Sequence, residues 1–483
     1  MTKPGFSFLF FWNSVSVLTI MLKWGLAAAK VSRLPDMVKV YGKSAKEVAR
    51  LIRNGDVTID VVGIGNMGLP LAVAFAKEGA RVVGVRKNQS VVVKINQGKS
   101  PLVGEPQVAD LLREMIESGQ LRATIDGTDA ANDADVIIIL VPLLVNDQGQ
   151  EDYSIIQDAT RAAGKGLKKG TLVITSTTMP PGATESVVKP LLETESKLVA
   201  GKDFGLAHSP ERLMVGRVMR NLYKYPKVVG GIDQASTEAA AGVYSIFGKV
   251  VRTSSLIAAE LVKVAEGTFR DLNIGYANFL AKLCEPLGVD TWEVIAAANE
   301  DTKEHCMIHR PSAGVGGHCI PVYPWFLINK AEELGVDAAL LRQARFMNDS
   351  MPIHTVKLAI QCLKAHGKDI KDSRISLLGI SFRADVKETR FAASLQILRH
   401  LQGYNPKVIL AHDPYFSEKE IRDFGFTSAS LDEALAADCI LLIASHQEYR
   451  DAIDKLEAVQ DCLVDTTNLL PRTAWKVGRI PST

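Results

Sequence analysis

Cysteine is scarce in this chain and never closely paired: six occur in 483 residues, with no Cys-x-x-Cys among them. That spacing excludes the common zinc and disulfide frameworks, and no metal site is expected. A reducing compartment fits, since a free thiol survives there. A strong charge of either sign is also missing. The net charge of +2 supplies no basic field for nucleic acid. Neither a tandem repeat nor a low-complexity tract is present. With 47% hydrophobic and 23% charged residues, the chain reads as an ordinary globular protein with room for two or three domains.

Long apolar runs are absent except at the start. Residues 6–22 are almost wholly apolar, with Asn13 and a few Ser and Thr as the only polar members. This is about the length of a marginal membrane span. Three readings stand: a translated upstream region with the true start at Met37, a membrane anchor, or a cleaved signal. Lys23, Lys30 and Arg33 follow the run and only Lys3 precedes it, so an anchored chain would keep the remainder in the cytoplasm. Cytoplasmic placement is expected either way, with membrane contact only if residues 6–22 are an anchor.

What is present begins with a β-branched run over residues 57–62. It leads into Gly63-Ile64-Gly65-Asn66-Met67-Gly68, and residues 71–77 read as a helix. Strand, G-x-G-x-x-G and helix in that order form a dinucleotide fingerprint: the glycines permit a tight turn and close approach of a pyrophosphate to the helix N-terminus. Apolar runs at 81–85, 136–141 and 172–175, with a helical stretch over 155–167, continue the strand–helix rhythm of a parallel sheet. Residues 255–287 read as one long helix, with Leu261, Val264, Ala265, Thr268 and Leu272 at helical spacing and Pro286-Leu287-Gly288 as its end. Further strands are expected at 375–379, 408–411 and 439–443, and a helix at 325–334.

The most specific stretch is 311–324, Pro-Ser-Ala-Gly-Val-Gly-Gly-His-Cys-Ile-Pro-Val-Tyr-Pro. Three glycines run up to Cys319, and prolines stop regular structure from starting there. A thiol so placed sits at a loop mouth where a carbon electrophile can reach it. The stretch resembles the active-site signature of the UDP-glucose/GDP-mannose dehydrogenase family. Its Gly-Gly-His-Cys form, with His318, looks like the branch that oxidises 2-acetamido sugars; the UDP-glucose branch usually has Ser at that place.

The resemblance runs in order from about Val57 to Asn468 and implies roles for residues along it. Cys319 becomes the nucleophile. Thr178, in Thr-Met-Pro-Pro-Gly, lies near the nicotinamide and a catalytic water. Ser209-Pro210-Glu211-Arg212-Leu213 matches the family's substrate loop, with Glu211 as acid/base candidate and Arg212 and Leu213 as substrate contacts; Val215 replaces a second Glu of the UDP-glucose enzymes. On the long helix, Lys263 becomes a proton carrier or oxyanion partner and Arg270 a substrate contact. His305 occupies the place of a substrate-binding Arg. Gly316, Phe382 and Arg383 are expected at the nucleotide sugar, and Arg390 reaches the cofactor across the cleft. Glu388 stands where the family has Asp, and the Arg of the late Asp-x-Arg-Asn is missing from Asp465-Thr466-Thr467-Asn468.

Three departures bear on chemistry. The family usually has an acidic residue after the second strand to bind the ribose 2′-hydroxyl; here Arg86 and Lys87 stand there. NAD is expected from the resemblance, with NADP possible because a cation can face its 2′-phosphate. In the family pattern an Asn lies four residues after the Lys and an Asp four after the Cys; here they are Gly267 and Tyr323. A tyrosine is long enough to fill the gap that Gly267 leaves one turn from Lys263.

The expected fold is α/β: two Rossmann-like, doubly wound parallel-sheet domains joined by a long central helix and a helical middle domain. The apolar segment takes 1–40, the NAD-binding domain 45–250, the central domain with the Cys 255–365, and the nucleotide-sugar domain 370–475. The resemblance implies an NDP-N-acetylhexosamine 6-dehydrogenase, working on a UDP-activated 2-acetamido sugar as a homodimer. Two rivals are a single-step dehydrogenase of the 3-hydroxyacid or 6-phosphogluconate type and a non-catalytic nucleotide-sugar binder.

Overall fold

A computed structural model describes residues 38–102, 105–146, 149–212, 217–300, 307–470 and 474–481. The apolar run at 6–22, Leu213, Val215 and His305 fall outside them. Among the described residues no helix is long and apolar enough to cross a membrane.

Ten strands belong to the first half: β1 (Thr58–Val62), β2 (Arg81–Val85), β3 (Leu121–Thr124), β4 (Val136–Ile139), β5 (Leu144–Val145), β6 (Glu151–Asp152), β7 (Leu172–Thr175), β8 (Gly205–His208), β9 (Lys227–Gly231) and β10 (Val250–Arg252). Eight of them form one sheet in the order β10-β9-β8-β7-β4-β1-β2-β3, and β5 and β6 pair as a small antiparallel ribbon. From β3 to β8 the ladders are parallel, which requires crossovers and buries both faces. That is why β1 and β4 are buried along their whole length rather than alternately, β4 wholly apolar and β1 apolar but for Thr58 and Asp60. The sheet departs from parallel pairing at one ladder, where β8 and β9 are antiparallel. The short helix Val218–Lys224 does not carry the chain back to the start of β8, so β9 re-enters from the end where β8 left.

The second sheet holds β11 (Arg374–Leu378), β12 (Val408–His412), β13 (Thr427–Ser428), β14 (Cys439–Leu442), β15 (Leu463–Asp465) and β16 (Trp475–Lys476). Its order is β13-β12-β11-β14-β15-β16, parallel throughout. Both sheets reverse direction beside their first strand, between β1 and β4 and between β11 and β14. Open α/β sheets bind ligands at such reversals, beyond the C-terminal strand ends.

The helix Leu256–Leu287 joins the halves. Ser255 caps its start by accepting from the Ala258 N–H at 3.2 Å, and Gly288, at φ +68°, ends it in the left-handed conformation. Pro286 is accommodated in the last turn. The buried stripe is Val264, Gly267, Thr268, Asp271, Gly275 and Asn278. Of the apolar spacing expected from sequence, Val264 and Thr268 lie in this stripe, whereas Leu261 and Ala265 are exposed. Small and polar residues face inward because neighbouring helices approach closely and bond to them. Asp271 is clamped by the buried Arg345 and by the Asn348 amide, and Asn278 accepts the Ser312 N–H at 2.9 Å. Asn273 binds the Met307 carbonyl and the His309 N–H, each at 2.8 Å. The helix thus fixes the strand of chain that leads to the glycine–cysteine loop.

Candidate active site

Sterics explain the glycine fingerprint. Gly63 has φ +106°, and a β-carbon there would lie 2.2 Å from the Leu140 carbonyl oxygen at the end of β4. A β-carbon on Gly68 would lie 2.2 Å from the Gly63 oxygen, so only glycine lets the helix Gly68–Lys77 start this close to β1. Gly65 is different: the nearest atom to its β-carbon position is the Arg86 Nη1, at 4.0 Å, which leaves the turn open to a ligand. Ile64 is buried under Gly84, while Asn66 and Met67 complete the turn. This cradle, at a helix N-terminus beside the sheet's reversal, fits a dinucleotide pyrophosphate. Arg86 donates from Nη1 to the Ile64 carbonyl at 2.9 Å and so lies on the rim of the turn. Lys87 turns away, to exposed Asp158.

The end of β7 is tied to the end of β4. Thr177 donates to the Val141 carbonyl at 2.8 Å and accepts its N–H at 3.0 Å. Thr178 therefore stands one strand from the cradle. The Pro180-Pro181-Gly182 turn after it is held by Glu260, a buried carboxylate on the central helix that accepts the N–H groups of Gly182 at 2.5 Å and Thr184 at 2.7 Å. Lys263 follows on the same helix.

The thiol loop meets both halves. Gly317, at φ +91°, donates to the Arg390 carbonyl at 2.8 Å. A β-carbon on Gly316 would stand 2.6 Å from the Phe382 β-carbon, so the glycines pack directly on the turn after β11. That turn is itself pinned: the buried Asp413 accepts from the Ile380 N–H at 2.7 Å and from His446 at 3.2 Å. Burial raises the Asp413 carboxyl, but His446 and the backbone donors outweigh it and hold the group below its ordinary range. His318 contacts Glu388 at 3.2 Å, and Glu388 also accepts the Arg390 N–H at 3.0 Å. Cys319 is exposed, and its carbonyl accepts from Val322 and Tyr323 as the helix Tyr323–Glu333 begins. The Tyr323 hydroxyl donates to Thr178 Oγ1 at 3.2 Å, and the Lys263 ammonium lies 5.7 Å from the centre of its ring. Cys319 and Tyr323 from one stretch, Thr178 from the turn after β7 and Lys263 from the central helix therefore share one site.

Three stretches of the chain match the UDP-glucose/GDP-mannose dehydrogenase family: its NAD binding domain over residues 57–248, its central domain over 257–350 and its UDP binding domain over 376–472. The chain belongs to that family. It is similar to the NDP-N-acetyl-D-galactosaminuronic acid dehydrogenase of Ralstonia nicotianae, 34% identical over 433 residues, 88% of this chain and 97% of that one. The UDP-N-acetyl-D-mannosamine dehydrogenase of Escherichia coli is 34% identical over 407 residues, covering 81% and 94%. Among solved structures, the UDP-D-ManNAc dehydrogenase of Pyrococcus horikoshii superposes with a TM-score of 0.79 at 31% identity, covering 87% of this chain and 99% of that chain. The protein is an NAD-dependent nucleotide-sugar dehydrogenase with a UDP-sugar substrate.

Not every residue singled out in the sequence of this dehydrogenase reaches the thiol. Glu211 is buried and bound by the Lys227 ammonium at 2.5 Å, while its neighbour's N–H donates to the same carboxylate oxygen at 3.0 Å. Arg212 is held by Glu266 on the central helix through two contacts, 3.0 and 2.8 Å long. Arg390 stacks 4.8 Å from the Phe391 ring centre, so its backbone rather than its head group meets the thiol loop. Arg383 and Arg270 do come together, with Arg217 as a third cation: partial burial and then these two neighbours push the Arg383 guanidinium below its usual range. Burial and the Arg270 charge likewise lower His309. Sequence reading missed Lys227, Arg217 and Glu260. Each is a single charge in an ordinary element, where solvation is the default expectation, and only the long-range contacts show otherwise.

Proposed function

We propose that the enzyme oxidises the C6 alcohol of a UDP-2-acetamido-hexose to the carboxylate in two steps through Cys319. The observation that carries this reading is the exposed Cys319 thiol in a glycine loop that bonds to the nucleotide-sugar half at Arg390 and meets Thr178 and Lys263 of the other half. The acetamido substrate is supported by His318 in the Gly-Gly-His-Cys sequence and by the names of the relatives.

Bound NAD supplies the hydride acceptor, once for each oxidation. The first oxidation removes a hydride from C6 and a proton from its hydroxyl, giving an aldehyde. The Cys319 thiolate adds to the aldehyde carbon, and the oxygen takes a proton: a thiohemiacetal. Loss of the second hydride and that proton gives a thioester. Water then attacks, the C–S bond breaks with its electron pair on sulfur, and a carboxylate leaves. Lys263 and Thr178 stabilise the oxyanions and orient the water. Arg217, Arg270 and Arg383 provide the positive charge that a diphosphate needs. Phe382 packs on Gly316 and carries the Arg383 guanidinium 5.6 Å from its ring centre. Glu211 pairs with Lys227, and Arg212 docks on Glu266 of the central helix. A homodimer is supported by an exposed apolar stripe on the central helix, Phe269, Tyr276, Phe279 and Leu283, which Phe346 extends.

The test is stoichiometric. UDP-N-acetylhexosamines are supplied singly with NAD, and NADH and uronate are counted. Two NADH per uronate are expected, and one NADH with an aldehyde or ketone product would overturn the reading. No NADH with retained sugar binding would favour a non-catalytic binder.

A further inference from the structure

Two loops flank the reversal of the second sheet, one after β11 and one after β14. The first runs from Gly379 to Arg390 and carries Phe382 and Arg383. It contains neither helix nor strand, so its backbone groups need partners of other kinds. Some lie within the loop: the Ser381 hydroxyl donates to the Val386 carbonyl at 2.5 Å, and the Phe382 N–H to the Glu388 carbonyl at 2.9 Å. Others lie outside. Asp413 Oδ2, at the end of β12, accepts the N–H groups of Ile380 at 2.7 Å and Ser381 at 3.1 Å. Midway along the loop, the Asp385 N–H donates to His446 Nδ1 at 2.9 Å.

His446 stands on the loop after β14 and is fully buried. A backbone N–H can only donate, so Nδ1 holds a lone pair and the ring carries its proton on Nε2. Nε2 donates that proton to the same Asp413 oxygen, 3.2 Å away. The ring thus ties the base of the first loop, at Asp413, to its middle, at Asp385. Asp385 has φ +60°, a conformation that costs a residue with a side chain unless its surroundings fix it. Its carboxylate does so, accepting the Gln447 N–H at 2.7 Å and the Arg450 guanidinium at 2.6 Å. Asp385 is therefore bonded to the second loop through its backbone and through both carboxylate oxygens.

We propose that His446 and Asp385 are positioning residues for substrate, fastening the loop so that Arg383 faces the diphosphate. The proposal rests on the reading of Arg383 as a diphosphate-binding cation beside Arg217 and Arg270. Like charges repel, so a loop free to move would carry Arg383 away from those two neighbours. The thiol loop is attached farther along, where Glu388 contacts His318 at 3.2 Å and the Arg390 carbonyl accepts the Gly317 N–H at 2.8 Å. The Phe382–Glu388 bond closes the loop between these two regions. Residues 383–387 can then shift while 388–390 stay, and the loss of His446 falls on binding of the nucleotide sugar rather than on the thiol.

The test titrates the full chain with UDP in a calorimeter, which needs no turnover, and follows steady-state kinetics with UDP-sugar and NAD. His446→Phe keeps a ring and removes both hydrogen bonds. UDP affinity should fall about tenfold, the worth of one or two hydrogen bonds, at unchanged stoichiometry. KM for UDP-sugar should rise by the same factor, with kcat within about threefold of the parent and KM for NAD unchanged. His446→Gln, whose amide both accepts and donates, should bind UDP at an affinity between the two. A structural role alone would lower the fraction of chains that bind and leave the affinity of the folded remainder as it was. Should His446→Phe fail to fold, Asp385→Gly takes its place, because glycine suits φ +60° and the lost carboxylate is partly exposed. It should weaken UDP about threefold, the contribution of an exposed ion pair. Parent affinity for UDP in His446→Phe, or in Asp385→Gly where that is the variant that folds, overturns the proposal. Arg383→Ala tests the reading beneath it separately: parent affinity for UDP there removes Arg383 from the diphosphate site whatever His446 does.

Discussion

The Lys227 ammonium lies 2.5 Å from the Glu211 carboxylate, and both side chains are buried. Each charge compensates the other away from water, and the Lys227 ammonium also stands 5.8 Å from the Tyr244 ring centre. Removing one partner leaves an uncompensated buried charge. Lys227→Met should therefore destabilise the enzyme by about 3–5 kcal/mol. The double change Lys227→Met/Glu211→Leu should recover most of that loss. Urea midpoints of the four proteins check this. A single variant as stable as the parent would mean that the pair is not buried as described.

Glu260 offers a second test, because it acts at a distance from the thiol. Its two backbone hydrogen bonds fix the Gly182 turn, and through it Thr178. Glu260→Gln keeps the shape but gives up charge-assisted bonds, each roughly twice as strong as a neutral one. kcat should fall about tenfold as Thr178 loses its position, with little change in the KM for sugar. A rise in KM alone would place the effect elsewhere.

In the proposed mechanism, Cys319→Ser replaces the attacking sulfur with a hydroxyl, a far weaker nucleophile near neutral pH. Uronate formation should fall about a thousandfold or more, while binding of UDP-sugar, measured by calorimetry, stays within a few-fold of the parent. Uronate formation close to the parent rate would remove the covalent step from the mechanism.

Cofactor choice is read at the rim of the glycine turn. Arg86 Nη1 is engaged by the Ile64 carbonyl, next to the open face of Gly65. An acidic group there can bind a ribose hydroxyl and repels a phosphate. Arg86→Asp should raise the NAD over NADP ratio of kcat/KM about tenfold. An unchanged ratio would show that position 86 does not meet the adenosine ribose.

Much of this was legible because it is local. The fingerprint, the strands of both sheets and the long helix are written as periodicity and punctuation, and residues 311–324 carry their chemistry in one stretch. What stayed hidden depends on distant partners. The antiparallel β9 follows from how the connection over residues 209–226 returns the chain, about which β-branched composition says nothing. The inward face of the central helix holds Gly267, Asp271, Gly275 and Asn278 beside Val264 and Thr268, so an apolar count finds only part of it. Lys227 opens a strand and looks solvated until Glu211 is placed beneath it. Tyr323 was legible as a gap-filler for Gly267, but its hydroxyl goes to Thr178, not to Lys263 as its spacing from that residue suggested.

Asp60 gives the prediction with the clearest sign. It sits in the middle of β1, fully buried, and neither carboxylate oxygen has a hydrogen-bond partner among the described residues. Burial raises its carboxyl well above the ordinary 3.8, with only the distant Arg122 opposing. The folded chain therefore holds a proton that the unfolded chain releases above that pH. Where the unfolded state binds fewer protons than the native one, stability falls as pH rises. The cost begins near 3.8 and grows by about 1.4 kcal/mol per pH unit until the folded group ionises as well. His208 has the opposite sign. Burial lowers it from 6.5 to about 3, so the folded chain resists a proton that the unfolded chain takes up, and stability is lost as pH falls below 6.5. Between these limits the two slopes cancel. Asp60→Val fills the site with a β-branched apolar residue among Val and Ile neighbours and removes only the first term. The variant should match the parent near pH 4 and exceed it by a margin that widens through pH 6, then remain more stable at pH 7 and above. Urea midpoints of both proteins at a series of pH values decide the matter. A stability difference that does not grow between pH 4 and 6 would mean that Asp60 is ionised and partnered in the folded enzyme.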